Sequence, residues 1–477
     1  MVLPTLPNYF RSNDFEGLFR DHPPPEDFVE GMHLWSSDRL RAHQEVLFQG
    51  VIEAAWANPF YAQRWRREGI EPGDIGGLDD IGRLPVISVE DFKDSIGAEP
   101  PFGLHQVLHR SEPPQPIKVQ SSGGTTGRPR PTLFSVREWE VQGIQTARAL
   151  YLQGARPGDV MQIPVTLSTA NLGWCYFQAC FYYLGIAVIT TGSGLVTPSR
   201  RQIEEAEAWG TNMMVAFPEY LLTLGHTAVE MGVAPESLGL KLLSTYLGPD
   251  TAGHLRAELE ELWHCPVYDN YGTHEIGVVS FECTERNGLH FNEDTIFVEI
   301  GDIETGDVST EIGTGNLIAT SLHRHHPPLI RYNLMDRIEL LPRGQCACGS
   351  HSLQMGQFLG RSDDMIKIRG TNIYPMACLN AVQSQPGTTG EWLCIVDRVT
   401  RGIRTEDQLT VAVELDKGVA PTEKLHSELS SGLQNDLGVK VIVELVDLGA
   451  LDSMTNRGRE GKVRRLLDRR PGHERQY

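Results

Sequence analysis

From about residue 117 onward the chain alternates short apolar, β-rich runs with longer helix-like ones, and no other feature restricts the available folds as strongly. Residues 160–165, 187–190, 213–217 and 241–246 each read as buried strands, and 251–263 places Leu255, Leu259 and Leu262 on one helical face. This alternation predicts α/β layers with a substantial parallel sheet. After Gly360 the rhythm changes. Residues 365–368, 391–396, 408–415 and 439–446 read as strands and 375–382 and 421–437 as helices, a compact α+β unit of about 110 residues, a usual size for a small domain. The first 110 residues, with the run Pro23-Pro24-Pro25 and several tryptophans, read as a largely helical preamble. The expected division is a large layered α/β unit over 1–361 and a small, mobile α+β lid over 362–477, with no internal period that would indicate repeats.

A length of 477 residues fits two or three folding units. The charge balance is the compositional outlier: 42 basic against 62 acidic side chains give −20. Such a surface repels phosphate backbones, which argues against a nucleic-acid binder or an anionic-membrane binder and leaves small anionic ligands open. The first 19 residues lack the basic start and apolar run of a secretory signal, so a cytoplasmic protein is expected. The most apolar stretch, 173–191, is interrupted by Gln178 and reads as a buried helix and strand rather than a membrane span.

The sharpest local motif is Ser121-Ser122-Gly123-Gly124-Thr125-Thr126-Gly127-Arg128-Pro129-Arg130. Glycines let successive N–H groups converge on a concavity, and four hydroxyls add donors around it, the composition that cradles a polyphosphate. The spacing is not that of a Walker A loop. A flexible Ser/Gly turn is the simpler alternative, but such linkers rarely end in Arg-Pro-Arg before an apolar strand. A second cluster, Asp269 to Glu275 with Tyr271 and Gly272, follows a short expected strand at 266–268, where open α/β sheets bind ligands. Three more are Arg331 to Asp336, Gly360 to Gly370 with Arg361 and Asp363, and Gly458 to Arg465 with Lys462. Each alone also fits a solvated charged loop.

In this order and spacing the motifs resemble the adenylate-forming superfamily of acyl-CoA synthetases, and within it the phenylacetate-CoA ligase branch, over nearly the whole chain from about residue 90. The resemblance implies a carboxylic acid activated by ATP to an acyl-adenylate, then transferred to a thiol, coenzyme A foremost, with AMP and pyrophosphate released. It implies that Ser121, Ser122, Gly123, Gly124, Thr125, Thr126 and Gly127 hold the β- and γ-phosphates, and that Glu275 with Thr126 holds Mg²⁺. Tyr271 and Gly272 would flank the adenine, Asp336 would accept the ribose hydroxyls, and Arg361 would reach ribose or phosphate. Lys462 would be the catalytic lysine of the mobile unit and Asp363 its hinge. The sequence departs from the family pattern at His274, where Thr or Ser is usual, at Leu334-Met335, where Thr-Gly is usual, and at Leu247-Gly248-Pro249, which lacks a Glu. These changes bear on the substrate more than on the reaction class.

Of eight cysteines, Cys283, Cys346 and Cys348 with His290 form a donor set that suits tetrahedral Zn²⁺ in a closed, structural site, as in zinc-containing relatives of the branch. Ordinary buried thiols are the alternative. His351 is a substitute ligand on this reading, while Cys175, Cys180, Cys265, Cys378 and Cys394 lie in apolar runs and read as core. The run His323-Arg324-His325-His326 is expected to be a solvated loop because Pro327-Pro328 follows. Trp174, Phe217, Tyr246 and Gly248 are expected to wall an acyl pocket suited to an aromatic or arylacetic acid, although aromatics there also serve as plain core. Two other functions stay open: adenylation followed by transfer to an amine or a carrier-protein thiol, and a non-catalytic nucleotide-binding regulator. A homodimer is compatible with either. Finally, residues 457–475 carry eight basic side chains against three acidic ones, so an acidic body ends in a basic segment around Lys462.

Overall fold

Ser36 opens the longest helix, accepting a hydrogen bond from Arg39 N at 3.4 Å, and the helix runs Ser37–Ala57. Leu40, Gln44, Phe48, Val51, Ile52 and Ala55 recur at helical spacing on its buried face. The one amide in that stripe is satisfied, since Gln44 Nε2 donates to the carbonyls of Glu293 at 2.9 Å and Ile296 at 3.1 Å. This pins the helical N-terminal region to the main sheet. The computed structural model describes residues 6–122, 130–250, 253–302, 305–362, 366–368, 371–401, 404–455 and 464–470. Among them, everything before Lys118 is helical or irregular apart from a single bridge between Ile87 and Tyr332, as the composition of the preamble suggests.

The strand β1 (Lys118–Ser122) pairs antiparallel with β2 (Arg130–Phe134). A buried helix, Val136–Leu152, follows at once, started by a reciprocal Ser135–Glu138 capping box. The strands β3 (Val160–Gln162), β4 (Ala187–Ile189), β5 (Met213–Val215), β6 (Leu242–Thr245) and β7 (Val267–Thr273) then build the parallel half of a large sheet. An antiparallel half continues through β8 (Gly277–Phe281), β9 (Leu289–Phe291), β10 (Ile296–Gly301), β11 (Val308–Ser309), β12 (Gly313–His325), β13 (Pro328–Leu340) and β14 (Gln354–Arg361). The order is β11-β10-β12-β13-β14-β9-β8-β7-β6-β5-β3-β4. The apolar 173–191 stretch forms a helix (Leu172–Gln178), a π-helical turn (Ala179–Leu184) and β4, in line with the sequence reading.

Beyond Arg361, β15 (Ile366–Ile368) and β16 (Thr371–Ile373) form a hairpin, and β17 (Thr388–Arg401), β18 (Arg404–Leu415), β19 (Ile442–Val446) and β20 (Leu466–Asp468) form a second sheet in the order β19-β18-β17-β20. Helices Cys378–Gln383 and Glu423–Leu437 cover it, and Trp392, Val411, Leu429 and Leu433 sit in a core separate from that of the main sheet. Among the described residues no helix is long and apolar enough to cross a membrane.

Two sequence expectations are corrected. The strand expected at 266–268 continues through the ligand motif to Thr273, because after Asp269 it leaves β6 and pairs with β8. The His323–His326 run is a solvated turn only in its second half, where His325 and His326 are exposed; His323 and Arg324 are buried on β12, Arg324 fully. Its guanidinium replaces water with carbonyls, donating to Glu275 O and to Leu133 O at 2.7 Å, and lies 4.0 Å from the Phe134 ring centre.

Candidate active site

The passage of β7 from a parallel to an antiparallel partner places its end at a break in the sheet, where ligands bind in open α/β folds. Gly272 is required there: a Cβ would stand 2.6 Å from the Gly277 carbonyl oxygen across the hairpin. Thr273 pairs with Gly277, so His274, Glu275 and Ile276 form the tip.

Two carboxylates organise the site. Asp336 on β13 sits directly opposite Arg361 on β14, and Arg361 Nη1 meets Asp336 Oδ1 at 2.9 Å. From β7, Tyr271 Oη reaches past the Phe358 ring and donates to Asp336 Oδ2 at 2.6 Å. Burial, and then the Asp336 charge, hold the Tyr271 hydroxyl protonated well above its ordinary range. The second carboxylate, Glu275, is buried beside Arg130, with which it forms an ion pair, and takes a 3.4 Å hydrogen bond from Tyr332 Oη. Burial by itself would raise the Glu275 carboxyl. The Arg130 guanidinium, helped by His274, outweighs that and holds it below the usual carboxylate range.

The remaining expected residues divide. Ser121 lies on β1, with its N–H bonded to Thr169 O at 3.0 Å, and Ser122 ends that strand. Gly123, Gly124, Thr125, Thr126 and Gly127, Asp363, expected as the hinge, and Lys462 lie outside the described residues. Phe217, 40% exposed, and Tyr246, hydrogen-bonded to the buried Tyr176, follow β5 and β6, and Gly248 has φ +69° in the next turn. Trp174 lies on the 172–178 helix, its indole donating to Ser168 O at 2.8 Å, with Lys118 Nζ 4.4 Å from its ring centre. Within the third motif, Arg331 faces away from these groups and forms a buried bidentate pair with Glu299.

Sequence reasoning missed Arg130, Tyr332 and Arg324 as members of this site. The signal for Arg130 was the Arg-Pro-Arg end of the glycine loop; its partner is 145 residues away and only the fold joins them.

The four proposed metal donors do converge. Ligand atoms of Cys283, His290, Cys346 and Cys348 all lie within 4.8 Å of one another. Cys283 Sγ is 3.8 Å from Cys346 Sγ, and Cys348 Sγ is 3.5 Å from His290 Nε2. Ser352 Oγ, 3.0 Å from His290 Nδ1, fixes the ring so that Nε2 faces the thiols. His351 is not in the cluster; its carbonyl accepts from Arg343 instead. The other five cysteines are buried, as expected of core.

Residues 370–470 match the family model described as AMP-binding enzyme C-terminal domain. A phenylacetate-coenzyme A ligase of Thermus thermophilus is 30% identical over 454 residues, 91% of this chain and 97% of that protein. The chain belongs to the phenylacetate-CoA ligase family. A second member, from Aromatoleum evansii, is 29% identical over 94% of this chain and 98% of its own length. Among solved structures, 2-hydroxyisobutyryl-CoA ligase in its postadenylation state is 25% identical over 91% of each chain, with a TM-score of 0.79. Against the same enzyme in its thioesterification state the TM-score is 0.66 at nearly the same coverage. The arrangement of parts in this family member is therefore more similar to the postadenylation form.

Proposed function

We propose that this chain is an acid–thiol ligase that uses ATP to convert a carboxylic acid, aromatic or arylacetic in type, into an acyl-adenylate and then into a coenzyme A thioester. The observation that carries the reading is the pair of carboxylate centres at the end of β7: Asp336 held between Tyr271 and Arg361, and Glu275 held by Arg130. A substrate carboxylate oxygen attacks the α-phosphorus of ATP and the bond to the β-phosphate breaks, releasing pyrophosphate. The thiol sulfur then attacks the acyl carbon and AMP leaves.

The roles are those of the family pattern, and the contacts of Asp336, Arg361, Tyr271 and Glu275 support them. Asp336 accepts the ribose hydroxyls, its carboxylate already oriented by two donors, and Arg361 extends to ribose or phosphate. Tyr271 and Gly272 flank the adenine. The loop from Ser121 through Gly127 surrounds the terminal phosphates, and Lys462 offsets the repulsion between the substrate carboxylate and the α-phosphate. Glu275, with Thr126, would hold Mg²⁺, which spreads charge on the transferring phosphoryl group when bound. Trp174, Phe217, Tyr246 and Gly248 form walls of the acyl pocket. Cys283, His290, Cys346 and Cys348 have the number, chemistry and spacing for a structural Zn²⁺. The chain divides into 1–361 and 362–477, and the smaller unit turns about Asp363 between the two half-reactions. We place the enzyme in the cytoplasm.

Pyrophosphate release measured over a panel of acids tests the first step, and thioester formation with coenzyme A, with amines as alternative acceptors, tests the second. Lys462→Ala is expected to abolish acid-dependent pyrophosphate release. Retention of that release refutes the mechanism, and release with amine but not thiol transfer refutes the acceptor.

A further inference from the structure

Arg324 is fully buried on β12, yet among the described residues it forms no ion pair, and its Nε has no hydrogen-bond partner. Burial works against its charge, and only the more distant carboxylates of Glu138 and Glu275 favour it. Well-packed apolar side chains often replace buried charges with no loss of stability, so packing alone does not account for a guanidinium at this position. What it holds does.

Two of its nitrogens join three backbone segments. Nη1 donates to Glu275 O at the tip of the β7–β8 hairpin, and Nη2 donates to Leu133 O on β2 at 2.7 Å and to His326 O, between β12 and β13, at 3.2 Å. Glu138, in the first turn of the helix Val136–Leu152, secures that β12–β13 turn as well, its Oε1 accepting from His325 N at 2.9 Å and His326 N at 2.8 Å. The other strand of the β1–β2 hairpin meets the same tip, since the ring of His274 hydrogen-bonds to the backbone of Gln120. Gln120 is one rung from Val119, which lies opposite Leu133. His274 and Glu275 are thus clamped to adjacent rungs of the hairpin that carries residues 123–129. Three rungs nearer those residues, at the last pair of the ladder, Arg130 takes Glu275 Oε1. Tyr332 Oη reaches the same oxygen, which leaves Oε2 without a hydrogen-bond partner among the described residues.

We infer that Arg324 is a positioning residue for the adenylation half-reaction: it fixes the Glu275 backbone beside the glycine-rich loop, so that Oε2 is presented from a rigid support to the phosphates of ATP and their cation. The inference rests on the ligase reading and adds a residue to that same site. The fork matters as much as the charge, because one ammonium on a lysine stem cannot reproduce donation from two ends of a planar guanidinium to three carbonyls. Misplacing a reacting group by about 1 Å costs on the order of 100-fold in rate. A loosened Glu275 is felt in the step that handles the phosphates of ATP. It is not felt when the thiol attacks the acyl carbon, since pyrophosphate has by then left.

The test is Arg324→Lys in the full-length enzyme, with the two half-reactions read separately. Acid-dependent pyrophosphate release should fall at least about tenfold in kcat/KM, while thioester formation from a supplied acyl-adenylate, made from the acid that the wild type turns over best, should stay within about twofold. Calorimetric titration with ATP gives a readout without turnover: its Kd should rise at least about tenfold with Mg²⁺ present and change by less than about twofold without it. Phe134→Leu, which removes only the ring 4.0 Å from the guanidinium, should give the same split in milder form, about threefold against no change, and keeps the test open if Arg324→Lys fails to fold. Equal loss in both half-reactions, or loss in neither, overturns the role, as does an equal rise in the two dissociation constants. A wild type that releases pyrophosphate with no acid overturns the ligase reading itself, and the role with it.

Discussion

Replacing Arg130 with methionine isolates the electrostatics of the Glu275 centre. The side chains of the pair are 17% and 8% exposed, so water screens little of their interaction and little water is on hand to solvate Glu275 once the guanidinium is gone. Removing one partner of a buried pair costs about 3–5 kcal/mol, against about 1 kcal/mol or less for a surface pair. In the native protein the depressed Glu275 pKa contributes stability that is present above the unfolded carboxylate value of about 4.3 and lost as pH falls through the folded value. In Arg130→Met, burial dominates and the folded pKa rises above the unfolded one, so the sign inverts. The variant is penalised most at neutral pH and recovers as pH falls and Glu275 takes up a proton. Urea unfolding followed by tryptophan fluorescence at pH 8, 7, 6 and 5 should show the gap from wild type narrowing toward acid. The double variant Arg130→Met/Glu275→Gln should recover more than half of the loss at pH 7. A single-variant cost of about 1 kcal/mol or less, or no rescue by the glutamine, refutes the reasoning.

Met335 has φ +59°, and its carbonyl accepts from Ser362 N at 2.7 Å and Ser362 Oγ at 3.0 Å. A left-handed non-glycine residue costs roughly 1–2 kcal/mol, so Met335→Gly should stabilise the chain by about 0.5–1 kcal/mol after its unfolded-state entropy is counted; a fall in melting temperature contradicts this. Asp363→Pro should slow thioester formation more than pyrophosphate release, and equal loss in both removes the hinge assignment. The purified protein should carry near-stoichiometric zinc by elemental analysis, reduced at least twofold in Cys346→Ser; its absence from the wild type rejects the site. Tyr271→Phe deprives Asp336 of a charge-assisted donor worth about 1.5–3 kcal/mol and should raise the KM for ATP roughly tenfold or more, with a smaller effect on kcat.

The parallel strands were legible because apolar runs bounded by turns have few other solutions, although β3 ends at Gln162, earlier than expected. The second half of β7 was not. Asp269, Asn270 and Gly272 are poor strand formers, and only the β8 partner makes that segment extended. Arg324 was misread for a related reason: flanking histidines and prolines look solvated until the carbonyls that receive the guanidinium are known. The carboxylates and the thiol cluster were found from motif order and residue type, which survive without coordinates. Their partners Arg130, Tyr332 and Ser352 were not: the Arg-Pro-Arg run flagged Arg130 as part of the loop, but nothing local marks which carboxylate a cation pairs with or which histidine a hydroxyl orients.

The thiol cluster and the Asp336 clamp lie at opposite ends of one strand. Near its start β14 pairs with β9 at His290, a cluster donor, and at its end Arg361 meets Asp336, one residue after Gly360 at φ +104° and just before the chain enters the smaller unit. At about 3.3 Å per residue, Gln354 to Arg361 makes a beam of roughly 23 Å. It joins the sulfur cluster at one end to the start of the smaller unit at the other. Where the thiols hold zinc and the smaller unit turns about Asp363, as proposed above, oxidation of the thiols or removal of the metal would reach the mounting of that unit through this strand.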